Sequence, residues 1–418
     1  MFDIKMIIAK RLLLLLVLAG LPLQAQVLTG IDVLQEEGFA PLLGKRVGLV
    51  TNPSGVNRNV RSTIDIFHES PLVNLVALYG PEHGVRGDVY AGDHVSDSRD
   101  PKTGLTVYSL YGPTREPTQE MLKGIDVMVY DIQDVGTRCY TFISTLGLVM
   151  RACAKAGVEV LVLDRPNPLG GNKIEGSYVE DGFYSFVSEF RIPFLYGLTV
   201  GELAMLINEE GLNRGQKGNL EPLKCRLSVV PMRGWTRSML FRDTGLPWIL
   251  PSPNIPSIQS ALCYAGAGIG GEFGLVNIGV GYTIPFETFA EEWIDADALK
   301  ARLDSYAIPG VAFRTIHYKP LSGRLAGKLL HGVQFFFTDY EAAPVTLIQF
   351  YVLQALNELY PEKNPYPLKS TRMLDIVCGT DYVRMAFGRR MKVADIVDHW
   401  TKDTEHFRSL SEKYYLYR

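Results

Sequence analysis

The sequence predicts an α/β fold, in which a Rossmann-like, doubly wound parallel sheet is followed by a second, smaller α/β or α+β domain. Four segments of the first half each form a short hydrophobic strand pattern that ends in a turn rich in Gly, Pro, Asn and charged residues. Helical patterns separate most of these segments, and this alternation is typical of parallel strands joined by crossover helices. The predicted strands are residues 46–50, 73–79, 125–130 and 158–163.

The helices predicted between and after these strands have recognisable ends. Gly157 is placed to end the third helix, because glycine tolerates the left-handed conformation that follows a helix. Thr199 and Glu202 have the spacing of a capping box at the start of the fourth helix, and Gly211 follows its end. The predicted helices are residues 60–69, 117–123, 140–156 and 200–210.

From about Trp235 the composition changes to a Pro-rich stretch and then a Gly-rich stretch at residues 266–281. The segment GAGIGG within it satisfies a dinucleotide-binding pattern, but no buried strand precedes it and the residues after it do not suit a helix. We therefore expect a flexible loop that lines a cleft, and no dinucleotide. The predicted organisation is a signal peptide at residues 1–25, a Rossmann-like catalytic domain at 26–234 and a C-terminal domain at 235–418 that completes the active-site cleft.

The composition is that of an ordinary globular protein, with 47% hydrophobic and 21% charged residues in 418. The net charge of −3 and the lack of a stretch that interleaves basic and aromatic residues argue against a nucleic-acid partner. Five widely spaced cysteines do not form a disulfide framework. Cys139 and Cys153 fall in or beside a helical pattern, and we expect both to be buried as small hydrophobic residues.

The first 25 residues are typical of a secretory leader. Lys5, Lys10 and Arg11 precede an apolar block at residues 12–23, and Ala25 is a small residue suited to cleavage. The block is shorter than the roughly 20 residues that a membrane-spanning helix needs, so no stable membrane anchor is expected. The sequence thus predicts export across the inner membrane, with the periplasm as the location.

Polar residues follow the predicted strands at the point where each strand ends. The carboxyl ends of adjacent parallel strands converge on one crevice, so Asn52, Glu82, Asp131 and Asp164 are expected to lie at the same edge of the sheet. Glu82 stands in the glycine-rich turn GPEHG, where a ligand can approach the main chain. It is predicted to act as a general acid or base; the alternative is a helix-cap or loop carboxylate paired with Arg86.

The same turn also contains possible metal ligands. His83 and His94 lie near Glu82, Asp88 and Asp93 in the sequence, but their spacing matches no zinc-binding pattern. We therefore expect no metal and no cofactor.

The turn after the third strand carries further polar residues. Asp131, Asp134 and Arg138 follow that strand, and Tyr140 opens the next helix. A carboxylate at this position suits the second acidic group that most glycosidases use. Asp134 equally suits the N-cap of the helix, so both interpretations stay open.

Several motifs, taken in order along the chain, resemble one family. They are TNPSG, GPEHG, DIQDVGTR, DRPNPLGG, GLTVGELA, PSPNIPS and the closing pattern GTDYVR followed by FRSLSEKYYLY. The chain resembles the NamZ-like exo-β-N-acetylmuramidases, glycoside hydrolases of peptidoglycan that were formerly a family of unknown function. The resemblance covers essentially the whole chain after the leader.

This resemblance implies a cleft between two domains that removes N-acetylmuramic acid from the non-reducing end of glycan chains. It also implies that the partners are peptidoglycan glycan fragments containing MurNAc–GlcNAc units. The proposed catalytic acidic residue of the family's GPEHG motif falls on Glu82 in this sequence.

Cleavage of a glycosidic bond needs an acid at the leaving oxygen and usually a second carboxylate, at about 5 Å for retention or about 6.5–9.5 Å for inversion. We assign Glu82 as the acid, with His83 or Asp131 assisting it. Nucleophilic attack by the substrate's own acetamido group also stays open. The candidates for the second carboxylate are Asp131, Asp134, Glu175 and Glu272.

Other polar residues are candidates for holding the substrate. Arg86, Arg138 and Arg165 suit the lactyl carboxylate of N-acetylmuramic acid, because guanidinium groups bind carboxylates in a bidentate fashion. Amide side chains suit the sugar hydroxyls and the acetamido group. The complete predicted set is Asn52, Arg86, Asp134, Arg138, Tyr140, Arg165, Asn167, Glu175, Asn254, Glu272 and Asn277.

One departure from the family bears on specificity. Many members carry arginine at the position of Val280, within a segment that here reads GGEFGLVNIGVGY. The alternatives are therefore a sugar-binding protein of the cell envelope that lacks turnover, or a related exo-hexosaminidase with changed sugar specificity. A metal-dependent hydrolase is a third alternative.

Overall fold

The structure, a computed structural model, describes residues 26–87, 98–212, 223–366, 368 and 371–418. The predicted signal peptide at residues 1–25 lies outside these residues, as do Asp88, Asp93 and His94 of the metal hypothesis. No helix within the described residues is long and apolar enough to cross a membrane.

The α/β fold is confirmed. Within the described residues, seven strands form one sheet in the order β3-β4-β2-β1-β5-β6-β7, parallel except for the β3–β4 pair. The four predicted strands are β1, β2, β5 and β6, while β3, β4 and β7 were not predicted. The strands are β1 (Arg46–Thr51), β2 (Asn74–Gly80), β3 (Ser98–Arg99), β4 (Thr106–Ser109), β5 (Val127–Asp131), β6 (Glu159–Leu163) and β7 (Arg226–Val230).

The strand order places the polar strand ends together. The chain runs from β1 outward through β2 to β4, and then from β5 outward to β7 on the other side of β1. Such a reversal opens a crevice at the carboxyl ends of the two central strands, and this is where ligands of open α/β sheets bind. β5 is buried along its whole length, as expected for a central strand covered on both faces.

Helices cover both faces of this sheet. The predicted ends of two helices are confirmed: Gly157 adopts the left-handed conformation, and Thr199 and Glu202 form the capping box. The prediction of a helix at 117–123 is wrong: the segment forms turns, because too few backbone bonds of helical spacing form there to overcome the cost of nucleation. The helices of the first half are α1 (Gly30–Glu36), α2 (Thr63–Glu69), α3 (Phe142–Ala156) and α4 (Val200–Glu210).

The second half combines helices with a small antiparallel sheet in the order β8-β10-β9. The strands are β8 (Thr288–Glu291), β9 (Val311–Tyr318) and β10 (Leu330–Phe337). The helices are α5 (Ile258–Glu272), α6 (Ala296–Ser305), α7 (Ile348–Leu359), α8 (Arg372–Cys378), α9 (Tyr382–Arg390), α10 (Val397–Thr401) and α11 (Thr404–Ser411).

The GAGIGG segment corrects the sequence-based expectation. It forms the second half of helix α5 rather than a flexible loop. A Cβ at Gly266 would lie 3.1 Å from the carbonyl oxygen of Val345, and one at Gly270 would lie 3.1 Å from the ring of Phe289. Glycine weakens an isolated helix, but here it allows close packing against the elements around α5, and that tertiary packing outweighs the propensity.

All five cysteines are buried and unpaired, which confirms the expectation for Cys139 and Cys153. The predicted domain boundary at 234–235 falls in the connection between β7, which ends at Val230, and α5, which begins at Ile258.

The carboxylate of Asp164, just after β6, anchors the C-terminal segment to the sheet. One of its oxygens accepts hydrogen bonds from the hydroxyls of Thr199, at 2.7 Å, and Tyr417, at 2.5 Å. The other accepts from the backbone amides of Arg165 and Gly201. The group is fully buried, and this burial raises its pKa to about 7.

Arg138 joins the two halves of the chain. Its guanidinium is buried and donates to the backbone carbonyls of Ser177 and Ile192 in the first half, and of Val377 and Cys378 at the end of α8. The last carbonyls of a helix lack intrahelical partners and carry partial negative charge, so a cation is favourable there. Within the described residues no carboxylate pairs with Arg138, and burial lowers its pKa to about 10.

Replacing Asp164 with Asn is expected to change the pH dependence of stability. A carboxyl whose pKa is raised on folding contributes stability that is complete below its unfolded value, near 4, and is lost as the pH rises through about 7. Asn mimics the protonated form and does not lose this contribution. We therefore compare the free energies of unfolding in urea. The value for the variant minus the value for the wild type should increase by on the order of 2 kcal/mol from pH 4.5 to pH 7.5. A difference that is constant with pH would contradict this.

Replacing Arg138 with Met is expected to lower the free energy of unfolding by about 3 kcal/mol or more, because four buried carbonyls lose their donor. Denaturant unfolding at neutral pH measures this. Unchanged stability with a raised KM would instead favour the sequence-based hypothesis that Arg138 binds substrate.

Candidate active site

A cavity of about 270 Å³ lies beyond the carboxyl ends of β2 and β4, where the two halves of the chain meet. Its walls come from the loops after these strands, from the start of α3, and from the second half. The lining residues are Glu82, His83, Tyr111, Cys139, Tyr140, Thr141, Phe142, Val187, Ser252, Asn254, Ile255, Tyr264 and Phe286.

Glu82 enters this cavity from the turn that follows β2. Its side chain is half-buried, as suits a group that must meet a ligand. The next residue, His83, has a φ of 74°, in the left-handed region that is costly for a residue with a Cβ. Gly84 continues at a φ of 73°. Backbone strain of this kind concentrates at functional sites, where the surrounding structure holds it in place.

The hydroxyl of Tyr111 lies close to the Glu82 carboxylate. Burial together with the charge of Glu82 raises the pKa of Tyr111 to about 12. This fixes the tyrosine as a neutral donor. The sequence analysis missed Tyr111 because it did not predict β4, although the alternating segment LTVYSLY at residues 105–111 carries a strand signal.

Aromatic rings form one wall of the cavity. Tyr140 makes edge contacts with Phe142, at 5.0 Å between ring centroids, and with Tyr264, at 5.7 Å. Tyr264 in turn contacts Phe286 at 4.8 Å and approaches the Cys139 thiol, with 3.3 Å between oxygen and sulfur. Rings packed in this way are rigid and offer apolar area to the carbon-bound faces of a sugar.

The segment PSPN, residues 251–254, supplies polar groups to the cavity. Asn52, after β1, donates to the carbonyl of Pro251 at 3.2 Å and thereby fixes this segment against the sheet edge. Asn254 lines the cavity, and its side chain makes no hydrogen bond with the described residues. The buried Tyr140 hydroxyl lies near Ser252 without a hydrogen bond of good geometry, so both groups can accept or donate to a ligand.

A second cavity of about 400 Å³ adjoins the first and shares its walls at Tyr264 and Phe286. Glu272, at the end of α5, lines it, and burial raises the pKa of this carboxyl. The charge of Glu272 also raises the pKa of Cys139 and of Tyr264, which line the first cavity. Glu272 therefore lies close to the partition between the two cavities.

Asn277 also lines the second cavity, but its polar atoms are engaged within its own surroundings. Its side-chain oxygen accepts from the Gly279 amide and the Tyr318 hydroxyl, and its nitrogen donates to the carbonyl of Val280.

Asp131 and Arg165 do not line either cavity. The Arg165 guanidinium binds both oxygens of the fully buried Asp131 carboxylate, at 2.6 and 2.9 Å. Thr63 donates to the same carboxylate, and Arg165 also donates to the carbonyl of Val56. This network fixes the loops that follow β1 and β6 around the end of β5.

Asp134 and Glu175 are also held inside the protein. One oxygen of Asp134 accepts from Tyr196 and from the amide of Gly136, the other is buried without a partner, and burial raises the pKa to about 6. The charge of Asp134 raises the pKa of Tyr140, so Asp134 lies close to the aromatic wall of the cavity. Glu175 accepts from the amides at the start of the short helix Val345–Leu347.

The remaining predicted residues have structural partners too. Arg86 pairs with Asp65 and with Asp100. Desolvation alone would raise the pKa of Asp100, but hydrogen bonds from Arg86 and Thr103 lower it to about 2. Asn167 donates to the carbonyl of Leu198 and accepts from the amide of Leu169. Arg138 contacts the backbone carbonyls described above.

The structure therefore brings Glu82, His83, Tyr140 and Asn254 together in one cavity and Glu272 and Asn277 in the adjoining one. Besides Tyr111, the cavity residues that were not predicted from the sequence include Ser252, Tyr264 and Phe286, none of which carries a charge. In the described parts of the chain, no group of three or more His, Cys, Asp or Glu side chains is arranged to hold a metal ion.

Two domains of one family match the chain in order, and they meet at residues 259–262 rather than at the predicted 234–235. Residues 47–259 match the N-terminal domain and residues 262–417 the C-terminal domain of the family described as exo-beta-N-acetylmuramidase NamZ. The peptidoglycan beta-N-acetylmuramidase NamZ of Bacillus subtilis (strain 168) is 42% identical over 392 residues, which are 94% of this chain and 92% of that one.

Two crystal structures of DUF1343 family proteins from Bacteroides fragilis NCTC 9343 share the fold over 94% of this chain and 99% of each of theirs. One is 51% identical with a TM-score of 0.88, and the other is 27% identical with a TM-score of 0.76. On the two domain matches and the full-length likeness, the chain belongs to the NamZ exo-beta-N-acetylmuramidase family.

Proposed function

We propose that this protein is an exo-acting glycoside hydrolase that releases N-acetylmuramic acid from the non-reducing end of peptidoglycan-derived glycan chains. The observation that carries the proposal is the half-buried Glu82 in an aromatic cavity of about 270 Å³, in a chain that matches a peptidoglycan β-N-acetylmuramidase almost end to end. A cavity of this size suits one sugar ring, and a chain end fits it better than a chain interior does.

Glu82 acts as the general acid that protonates the leaving oxygen. The neighbouring Tyr111 hydroxyl can donate to this carboxyl group and hold its orientation. A fixed orientation matters because proton transfer requires the carboxyl within hydrogen-bond reach of the glycosidic oxygen. The aromatic side chains that line the cavity exclude water from the adjacent face of the bound sugar ring.

Glu272 is the second carboxylate of this mechanism. Of the four candidates, Asp131, Asp134 and Glu175 have oxygens bound to neighbouring protein groups in the interior. Glu272 lines the adjoining cavity, and its pKa is raised by burial alone. Its distance from the anomeric carbon would determine whether it attacks directly or activates a water molecule.

The substrates are fragments that end in N-acetylmuramic acid linked to N-acetylglucosamine, and the periplasm is the proposed location. The leader pattern of residues 1–25 supports export.

Replacing Glu82 with Gln is expected to lower kcat on the disaccharide MurNAc–GlcNAc, whose sugar leaving group must be protonated, by about 10³-fold, because general acid–base catalysis contributes on the order of 10²–10⁴-fold. Product binding, measured by calorimetry, should persist. The matched control is Glu120→Gln, at a carboxylate whose side chain is 84% exposed.

Each outcome of this assay has a distinct meaning. Undiminished turnover by the Glu82 variant would remove this residue from the mechanism. Wild-type protein that binds the sugar but does not cleave it would support the sugar-binding alternative, and turnover of only the matching N-acetylglucosaminide would support a changed hexosaminidase. Loss of turnover with EDTA would indicate a metal-dependent hydrolase.

Replacing Glu272 with Gln is expected to lower kcat by at least 10²-fold with little change in KM. A base or nucleophile must be ionised, and burial raises the pKa of Glu272, so the wild-type rate should rise with pH through a midpoint above the usual glutamate value of about 4.3. The pH profile of kcat measures this. A raised KM with unchanged kcat would reduce Glu272 to a substrate-binding role.

A further inference from the structure

The loop that carries Tyr111 also carries a cation close to the cavity. Arg115 lies four residues after Tyr111, and its guanidinium carbon stands 4.3 Å from the centroid of the Phe186 ring. The positive charge of Arg115 lowers the pKa of Tyr111, opposing the effect of Glu82 on the same hydroxyl. Arg115 and Glu82 therefore approach Tyr111 together.

Arg115 is exposed, its guanidinium is stacked on the Phe186 ring, and it forms no ion pair with an internal carboxylate of the described residues. Among the described residues no salt bridge to Arg115 is seen, and the nearby carboxylate of Glu189, whose pKa the charge of Arg115 lowers, is bound by Arg151. In this it differs from Arg86, Arg138 and Arg165, whose guanidinium groups are occupied by carboxylates or carbonyls. Stacking on an aromatic ring leaves the edge donors of a guanidinium free to bind a planar anion.

The surroundings hold Arg115 in place. The neighbouring Glu116 accepts from Arg151, at 2.9 Å, and from Lys155, at 2.8 Å, both on helix α3. The same Arg151 binds Glu189 at 3.0 Å, three residues after Phe186. A single, nearly buried arginine thus fixes both the loop of Arg115 and the segment that supplies its aromatic partner.

The position relative to the cavity follows from two lining residues. Tyr111 lines the cavity, as does Val187, the residue after Phe186. The rings of Tyr111 and Phe186 lie 6.3 Å apart, so the stacked guanidinium lies next to two lining residues, Tyr111 and Val187, without itself lining the cavity. N-acetylmuramic acid differs from N-acetylglucosamine by a lactyl group that ends in a carboxylate, and a guanidinium next to the cavity is suited to bind that group.

We propose that Arg115, stacked on Phe186, binds the lactyl carboxylate and sets the preference for muramic acid over glucosamine substrates. This inference rests on the proposed function. It assigns to Arg115 the role that was predicted from the sequence for Arg86, Arg138 and Arg165.

The test compares wild type and Arg115→Gln on para-nitrophenyl β-N-acetylmuraminide and on its lactyl methyl ester. A lost charge-assisted bidentate contact should lower kcat/KM on the free acid by about 10- to 100-fold, mainly through KM, and leave the rate on the ester nearly unchanged. Arg115→Lys, which retains the charge without the planar fork, should recover only part of the loss. Arg226→Gln, at an exposed arginine on the opposite edge of the sheet, is the matched control.

The outcomes separate this inference from the function on which it rests. If the wild-type protein cleaves neither muraminide, the proposed function fails. If the wild type cleaves the free acid and Arg115→Gln shows the same ratio of acid to ester rates as the wild type, Arg115 does not bind the lactyl carboxylate. An equal loss on acid and ester also overturns the inference, because a merely structural role would affect both substrates alike.

Discussion

The buried guanidinium of Arg138 is the interaction on which the architecture of the site depends. It binds carbonyls from two segments of the first half and from the end of α8 in the second half. Its own segment continues directly into Cys139, Tyr140, Thr141 and Phe142, which line the cavity. A cation enclosed in this way is stable only while all its acceptors are in place, so the two halves and the aromatic wall are fixed relative to one another.

Charged groups at this edge of the sheet fall into two classes. Those that fix loops are satisfied inside the protein, as in the contact of Asp131 with Arg165. Those that face the cavities are few, and they include Glu82 and Glu272. Low-dielectric walls strengthen electrostatic effects inside such a cavity, so a few well-placed groups suffice for glycosidic chemistry.

Tertiary contacts overrode local signals at two kinds of position. The glycines of GAGIGG favour a loop by propensity, yet they form a helix because their lack of side chains lets α5 pack closely against its neighbours. The arginines and asparagines predicted to bind substrate were judged by residue type and strand position alone. A residue type does not reveal whether a partner elsewhere in the chain has already satisfied it, as Asp65 and Asp100 satisfy Arg86.

The sequence by itself determined the α/β class, the four central strands, the capping of α4 and the placement of Glu82 just after β2, because hydrophobic periodicity, capping residues and glycine turns act over a few neighbouring residues. The motifs also identified the family before any geometry was known. Only the tertiary structure decided which polar residues face the cavities, and it added Tyr111 and Arg115. Contacts such as Tyr111 with Glu82 join residues that are distant in sequence, and they exist only once the sheet order has brought β2 and β4 side by side.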